Sequence, residues 1–282
     1  MNAVLRIAAF AAVLALAFAA AAAAGGALDP DVREGETTDT HGSAGGHAGE
    51  ATAAGDPVRG LASADGGLRV VVDDPELRRG RSERVAFRIV GEDGETVRDF
   101  DVSHEKRMHL IIVRRDATGF QHLHPVQRAD GTWTAPVTLD DAGSYRLFAD
   151  FSRDGEAQTL ASDLRVDGSA DLRPLPAPRT TAVSDGGYDV ELDAHGSGLR
   201  FAVSRDGEPV HTEPYLGAGG HLVVLREGDL AFLHVHPTED GEGRDDAVAF
   251  EAEFPTPGRY RLFLQFKHEG RVHTVAFTEE VR

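Results

Sequence analysis

The sequence predicts an all-β protein built from two tandem copies of one β-sandwich domain. The chain of 282 residues repeats a pattern of motifs, with the same order and spacing, over roughly a hundred residues per copy. Each copy is a series of short runs rich in Val, Phe, Tyr and Leu, separated by Gly, Asp and Pro turns. Neither copy contains a long stretch with the 3.6-residue period of an amphipathic helix.

The N-terminus precedes both copies and predicts export. A basic start at Met1–Arg6 leads into an unbroken apolar run, Ile7–Ala24, which we interpret as a hydrophobic helix. Residues 1–26 are therefore expected to be a signal peptide or a signal anchor. The protein would be extracytoplasmic, secreted or tethered to the outer face of the cytoplasmic membrane, with membrane contact only through this segment if it is not cleaved.

Residues 27–65 are rich in Gly, Ala, Thr, Asp and Glu and have almost no large apolar side chains. Such a segment cannot bury enough surface to offset the entropy of ordering, so we expect a disordered tether. The first domain is predicted at 66–168, a Pro-rich linker at 169–182 and the second domain at 183–282.

The internal repeat is clearest around two histidine motifs. Met108–Val113 aligns with Gly220–Leu225, and in both copies the phenylalanine that opens the next motif lies eleven positions after the histidine of this one. That next motif reads Phe120-Gln-His-Leu-His-Pro in the first copy and Phe232-Leu-His-Val-His-Pro in the second.

A further motif identifies the kind of sandwich. The run Asp141-Ala-Gly-Ser-Tyr145 resembles the tyrosine corner of immunoglobulin domains, in which a tyrosine at the start of strand F bonds to upstream backbone. The second copy keeps only the glycine and Tyr260 of that motif. We therefore predict two immunoglobulin-like domains.

Charge and composition exclude several classes of function. Lys plus Arg number 29 against 47 for Asp plus Glu, a formal charge of −18, which argues against nucleic acid as a partner. The absence of cysteine excludes disulfides, thiolate metal sites and cysteine nucleophiles. Any metal site would have to use histidine, methionine or carboxylate.

Histidines in both copies have the spacing of strand-borne metal ligands. Residues i and i+2 of a strand point the same way, so His122 with His124, and His234 with His236, are expected to form pairs. A four-residue turn would pair Val113 with His122 and Ile111 with His124, which brings His109 to the same face; a one-residue register change would not. His221 holds the equivalent position in the second copy.

The first copy adds His104 and Met108, and imidazole with thioether is a set that binds copper, whereas imidazole alone suits Cu(II) or Zn(II). The candidate ligands are therefore His104, Met108, His109, His122, His124, His221, His234 and His236. The alternatives are histidines that only support the sheets, or histidines used for another ligand.

These motifs resemble a group of exported bacterial proteins, familiar mainly from actinobacteria, that carry Met-His-Leu-Ile, His-Leu-His-Pro and Tyr-Arg-Leu-Phe-Ala-Asp-Phe sequences. The resemblance covers both domains, and the group has no established activity. It is similar to small extracytoplasmic domains associated with heavy-metal handling, which favours copper.

We expect a non-enzymatic protein that binds copper or zinc through histidines on paired strands. The sequence has no nucleophile elbow, phosphate-binding glycine loop or His-Glu-x-x-His helix. The alternative is a cell-envelope interaction module that meets another envelope protein and whose histidines are structural.

Overall fold

The computed structural model describes residues 58–233, 235–238 and 247–282, and this part of the chain is all-β, with no helix. The predicted signal segment and most of the predicted tether lie outside the described residues. No helix in the described ranges could cross a membrane. Both sandwiches belong to one compact unit.

The first sandwich has ten strands in two five-stranded sheets. One sheet has the order β1-β2-β4-β8-β7 and the other β3-β10-β9-β5-β6. The strands are β1 (Ala64–Asp65), β2 (Leu68–Val72), β3 (Glu76–Leu77), β4 (Ser82–Val90), β5 (His109–Arg114), β6 (Gln121–Leu123), β7 (Val126–Gln127), β8 (Trp133–Thr138), β9 (Gly143–Arg153) and β10 (Glu156–Val166).

The second sandwich repeats this plan. One sheet has the order β11-β12-β13-β18-β17, with β14 paired to β13, and the other β16-β15-β19-β20. The strands are β11 (Thr181–Val183), β12 (Asp189–His195), β13 (Gly198–Arg205), β14 (Glu208–Pro209), β15 (His221–Arg226), β16 (Phe232–Leu233), β17 (Val235–Pro237), β18 (Ala247–Ala252), β19 (Gly258–His268) and β20 (Arg271–Val281).

Strand alternation explains the core of each sandwich. On β9 the odd-numbered residues from Tyr145 to Phe151 point into the first core, as the sequence predicts, where they meet inward residues of β4 such as Phe87 and Ile89. The equivalent residues of β19, from Tyr260 to Phe266, point into the second core. Each repeat therefore has a hydrophobic core of its own.

Both repeats contain the tyrosine corner. The hydroxyl of Tyr145 donates to the carbonyl oxygen of Asp141 at 2.8 Å, and the hydroxyl of Tyr260 donates to that of Thr256 at 2.6 Å. The second copy makes the bond although its sequence keeps little of the motif, because the acceptor is a backbone carbonyl that any residue supplies.

A third apolar cluster lies between the two sandwiches. The outward faces of β5 and β9 meet those of β15 and β19, and Phe120 stacks on Phe263 with ring centroids 4.1 Å apart. Phe148 packs against Phe232 at 5.5 Å. The two repeats therefore dock through a buried apolar interface.

Candidate metal site between the repeats

His109 begins β5 and points away from the core of its own sandwich. It is 2% exposed, and its neighbour Met108 points the opposite way into that core, where it is 1% exposed. Adjacent residues of a strand face opposite sides of the sheet, so both cannot serve one site. The expectation that Met108 is a copper ligand is therefore wrong for this structure.

The β5–β6 hairpin brings His122 to the same face as His109. The observed register pairs Ile111 with His122, two residues away from the predicted pairing of Val113 with His122. The turn is tighter than the four-residue turn of the prediction: the backbone amide of Arg114 donates to the carbonyl oxygen of Thr118 at 2.8 Å, and the buried ion pair of Arg114 with Asp116 at 2.7 Å braces it. A shift of two preserves the face, so the predicted convergence of His109 and His122 is confirmed.

His124 follows β6 and completes the histidines of this hairpin. Its ring centroid lies 4.9 Å from that of His122 and 5.2 Å from that of His109. The Nε2 atom of His124 is buried and has no hydrogen-bond partner within the described part of the chain. A buried nitrogen in that condition is costly unless it has a ligand.

The second repeat contributes His221 to the same cluster. Its ring lies 4.8 Å from that of His122 and is stacked on that of His109 at 5.5 Å. Ligand atoms of His109, His122 and His221 all lie within 4.8 Å of one another. The sequence predicts one ion held by His109, His122 and His124 with His104 or Met108, all in the first copy. The structure adds His221 of the second copy to that cluster.

His104 closes the cluster at its exposed edge. It stands in a tight turn between Ser103 and Lys106, and its ring lies 5.8 Å from His221 and 6.1 Å from His109. Both His104 (φ 49°) and Glu105 (φ 63°) have left-handed backbone conformations. Non-glycine residues rarely adopt these conformations, so the turn that presents His104 to the cluster has a conformational cost.

Two of the predicted ligands, His234 and His236, are not part of the described group of close imidazole rings. His236 lies exposed on β17, where it pairs with Glu251, and its charge lowers the pKa of His104. His234 lies outside the described residues. The described cluster therefore comprises His104, His109, His122, His124 and His221.

Hydrogen bonds at the outer edges of two rings assign their tautomers. Nε2 of His109 donates to the carbonyl oxygen of Ser103 at 3.2 Å. Nδ1 of His122 donates to Oε1 of Gln265 at 2.7 Å. The amide nitrogen of Gln265 in turn donates to Oγ1 of Thr274 at 3.2 Å, which fixes the orientation of the amide. Each ring thus carries its proton on the outside and its lone pair on the inside.

The two inner nitrogens face each other. Nδ1 of His109 and Nε2 of His122 are 3.0 Å apart, and with both rings neutral each presents a lone pair. Two facing lone pairs repel unless a proton or a metal ion lies between them. Nitrogens bound to one tetrahedral zinc ion at about 2.0 Å are roughly 3.3 Å apart, so the observed separation suits a shared ion.

Burial makes the proton the poorer choice. It lowers the pKa of His122 to about 3 and that of His124 to about 4, and the mutual repulsion of the imidazolium charges adds to both shifts. Burial also lowers the pKa values of His104, His109 and His221. Neutral imidazole is the form that binds metal, so the cluster is held in its ligating state.

Sequence reasoning missed two residues of the site, Asp150 and Gln265. Both follow the phenylalanine that forms the interface, at the same position of the repeated Tyr-Arg-Leu-Phe motif. In register, Asp150 pairs with His109 and Gln265 with His221. Their shared parity with Phe148 and Phe263 was the available signal, but it points to the site only once the docking of the repeats is known.

Comparison with solved structures gives only distant similarities. A Salmonella α2-macroglobulin that had reacted with methylamine is 14% identical, with 79% of this chain and 15% of that chain covered and a TM-score of 0.29. An Escherichia coli adhesin is 14% identical over 74% of this chain and 63% of its own, with a TM-score of 0.27. A two-domain fibronectin type III segment of chicken tenascin is 11% identical over 75% and 97%, with a TM-score of 0.23.

The chain thus spans less than two thirds of the length of the two bacterial proteins. No curated protein matches it. A family model described as a domain of unknown function, DUF8832, matches residues 62–168 and again 181–282, which is most of the chain. The chain therefore belongs to the DUF8832 family and carries its domain twice.

Proposed function

We propose that the protein is an extracytoplasmic, non-enzymatic metal-binding protein that holds a copper or zinc ion between its two repeats. The facing inner nitrogens of His109 and His122 carry this proposal, because both outer nitrogens are already committed to carbonyl oxygens. His221 supplies the third imidazole, and the unpartnered Nε2 of His124 is available as the fourth donor. Four nitrogen donors match the coordination number of zinc and suit Cu(II).

Outer hydrogen bonds support the same proposal. Metal-bound histidines usually donate their second nitrogen to a carbonyl or carboxylate, which fixes the ring and its tautomer. Ser103 does this for His109 within the first repeat, and Gln265 does it for His122 across the interface. The site would then be complete only when the two repeats are docked.

The proposal can be tested by titrating the purified, metal-free protein with Zn(II) and Cu(II) by calorimetry. We expect one ion per chain, and we expect the double variant His122→Ala, His221→Ala to lose it. His195→Ala is the matched control, because His195 is an exposed imidazole of the second repeat that lies 2.9 Å from Asp193.

The outcomes separate the two classes of function. One ion lost in the double variant and retained in the control supports metal binding. Two ions per chain would instead indicate that each repeat has a site of its own, and would overturn the proposal of one shared site. Binding no tighter than that of an unrelated protein with few histidines would overturn the proposal and favour an envelope interaction module with structural histidines.

A further inference from the structure

Asp150 places a carboxylate beside the histidine cluster. It lies on β9 directly opposite His109 on β5, and such cross-strand neighbours have Cβ atoms about 5 Å apart on the same face. Asp150 is half-buried, and Oγ1 of Thr159 donates to its Oδ1 at 2.7 Å. One carboxylate oxygen is thereby fixed, and a carboxylate has a second oxygen that can bind a cation.

Two positive charges act on Asp150, that of His104 in the cluster and that of Arg59 near the start of the described chain. Burial raises the pKa of Asp150, while the hydrogen bond from Thr159 and the positive charges of Arg59 and His104 lower it. The charge of His104 is one of those that act on Asp150, in keeping with the pairing of Asp150 with His109 on the same face. Asp150 is the only carboxylate that interacts electrostatically with these imidazoles among the described residues whose pKa shifts are resolved.

The second repeat shows what the same position does without a charge. Gln265 occupies the position that Asp150 has in the first repeat, and each contacts a threonine of the neighbouring strand. The amide nitrogen of Gln265 donates to Oγ1 of Thr274, whereas Oγ1 of Thr159 donates to the carboxylate of Asp150. The remaining oxygen of Gln265 reaches His122 directly. Aspartate is one methylene shorter than glutamine, so the same position of the first repeat carries a charged carboxylate with a shorter reach.

A small hollow lies beside the cluster. It has room for about one water-sized sphere, 10 Å³, and His104 and His221 are among its walls, together with Leu216 and Gly220 of the second repeat. A volume of this size accommodates a single small ion or water molecule. Asp150 is not one of its walls, so the carboxylate is linked to the cluster through its strand pairing with His109 and not through this hollow.

The donor set also lacks sulfur. The chain has no cysteine, and its only methionine beyond the initiator is Met108, which is buried in the first core. Soft thioether and thiolate ligands select Cu(I), whereas imidazole with carboxylate suits Cu(II) and Zn(II). The geometry points to Asp150 as the carboxylate that balances the charge of the bound ion beside the four imidazoles, and to a divalent ion, Cu(II) or Zn(II), rather than Cu(I), as the ion that the site holds.

This inference rests on the proposed function, since it assigns the charge of the ion at the same site. The test is to measure the affinity of the whole protein for Zn(II), for Cu(II) and, under anaerobic reducing conditions, for Cu(I), by competition with chromogenic chelators. The variants are Asp150→Asn, which keeps the shape and the acceptor for Thr159, and Asp189→Asn, which removes one exposed carboxylate from β12 of the second repeat.

We expect Asp150→Asn to weaken Zn(II) and Cu(II) binding about ten- to a hundredfold and to leave Cu(I) binding within about threefold of wild type. Asp189→Asn should leave all three affinities unchanged. Equal loss for Cu(I) and the divalent ions, or no loss for any of them, would overturn the inference while metal binding stands. Failure of the wild-type protein to bind any ion would instead overturn the proposed function.

Thermal unfolding of the metal-free variants shows whether Asp150→Asn is folded. If it is not, Thr159→Val keeps the carboxylate but releases its orientation. That variant should weaken divalent binding by a smaller factor with the same sparing of Cu(I), and equal effects on both charge states would overturn the inference.

Discussion

The two repeats are alike in their cores and unlike on the faces where they meet. Each has a tyrosine corner, an interface phenylalanine on strand β9 or β19, and a tight turn before strand β5 or β15. In the first repeat that turn carries His104; in the second the equivalent residue is Leu216, which is 2% exposed and has the same left-handed backbone. Likewise, Asp150 of the first repeat corresponds to Gln265 of the second.

This difference shows how a duplicated fold can hold one site instead of two. The first repeat supplies four imidazoles and a carboxylate, whereas the second supplies His221, the neutral Gln265 and an apolar turn. Apolar and neutral groups on the second face lower the effective dielectric of the shared interior, which strengthens electrostatic interactions on the first. The inequality between the faces is therefore part of the site's chemistry.

The largest effect that we expect follows from the pH dependence of this interior. His122 and His124 have folded-state pKa values of about 3 and about 4, below the ordinary value of 6.5, because burial disfavours their charged forms. Below pH 6.5 the unfolded chain binds more protons than the folded one, so stability is highest above pH 6.5 and falls as the pH falls toward these values.

For His122 alone the loss between pH 7 and pH 5 is on the order of 2 kcal/mol, and the lowered pKa values of His124, His109 and His221 raise the total to roughly 4 kcal/mol. Urea unfolding of the metal-free protein at the two pH values measures it. His122→Gln should flatten the dependence, while His195→Ala, in the exposed part of the second repeat, should not. The same slope in all three proteins would show that the cluster is not what titrates.

The sequence is sufficient to predict the architecture and half of the site. Alternation along β9 and the repeated motifs predict two sandwiches, and the parity of His109, His122 and His124 predicts their convergence. The union of the repeats is not predictable in this way, since it depends on which outward faces dock. For that reason the sequence does not show that His221 and Gln265 join the histidines of the first repeat. It also does not show which way Met108 points, and in the structure its side chain lies in the core of the first sandwich.

The next largest effect concerns the interface itself. Phe263→Ala removes a ring that is 4% exposed and stacked on Phe120, so we expect a loss of about 3 kcal/mol. Metal affinity should fall as well, because His221 and Gln265 lie on the same face. Phe266→Ala is the matched core substitution in the second sandwich, and it should cost at least as much stability. Urea unfolding and zinc titration measure both; unchanged zinc affinity in Phe263→Ala would mean that docking does not form the site.

Gln265→Leu tests the contact that crosses between the repeats. It removes the acceptor for Nδ1 of His122 and keeps an apolar side chain of similar size, so the ring loses its orientation. We expect zinc affinity to fall about ten- to a hundredfold, the usual effect of losing a residue that orients a metal ligand. Gln127→Leu alters a glutamine of the first repeat that bonds to the backbone of Arg98, away from the site, and should leave affinity unchanged. Equal affinities in the two variants would show that Gln265 does not position His122.

The smallest effect tests whether the repeats remain equivalent away from the site. Tyr145→Phe and Tyr260→Phe each delete one hydroxyl that donates to a backbone carbonyl four residues upstream. Each should cost about 1 kcal/mol, the net value of a typical hydrogen bond, and neither should alter zinc affinity. Similar losses in urea unfolding are expected, slightly larger for Tyr260, because its hydroxyl also lies 3.2 Å from Oγ1 of Thr256. A much larger loss for one of them would show that the asymmetry of the interface extends into the corner of that repeat.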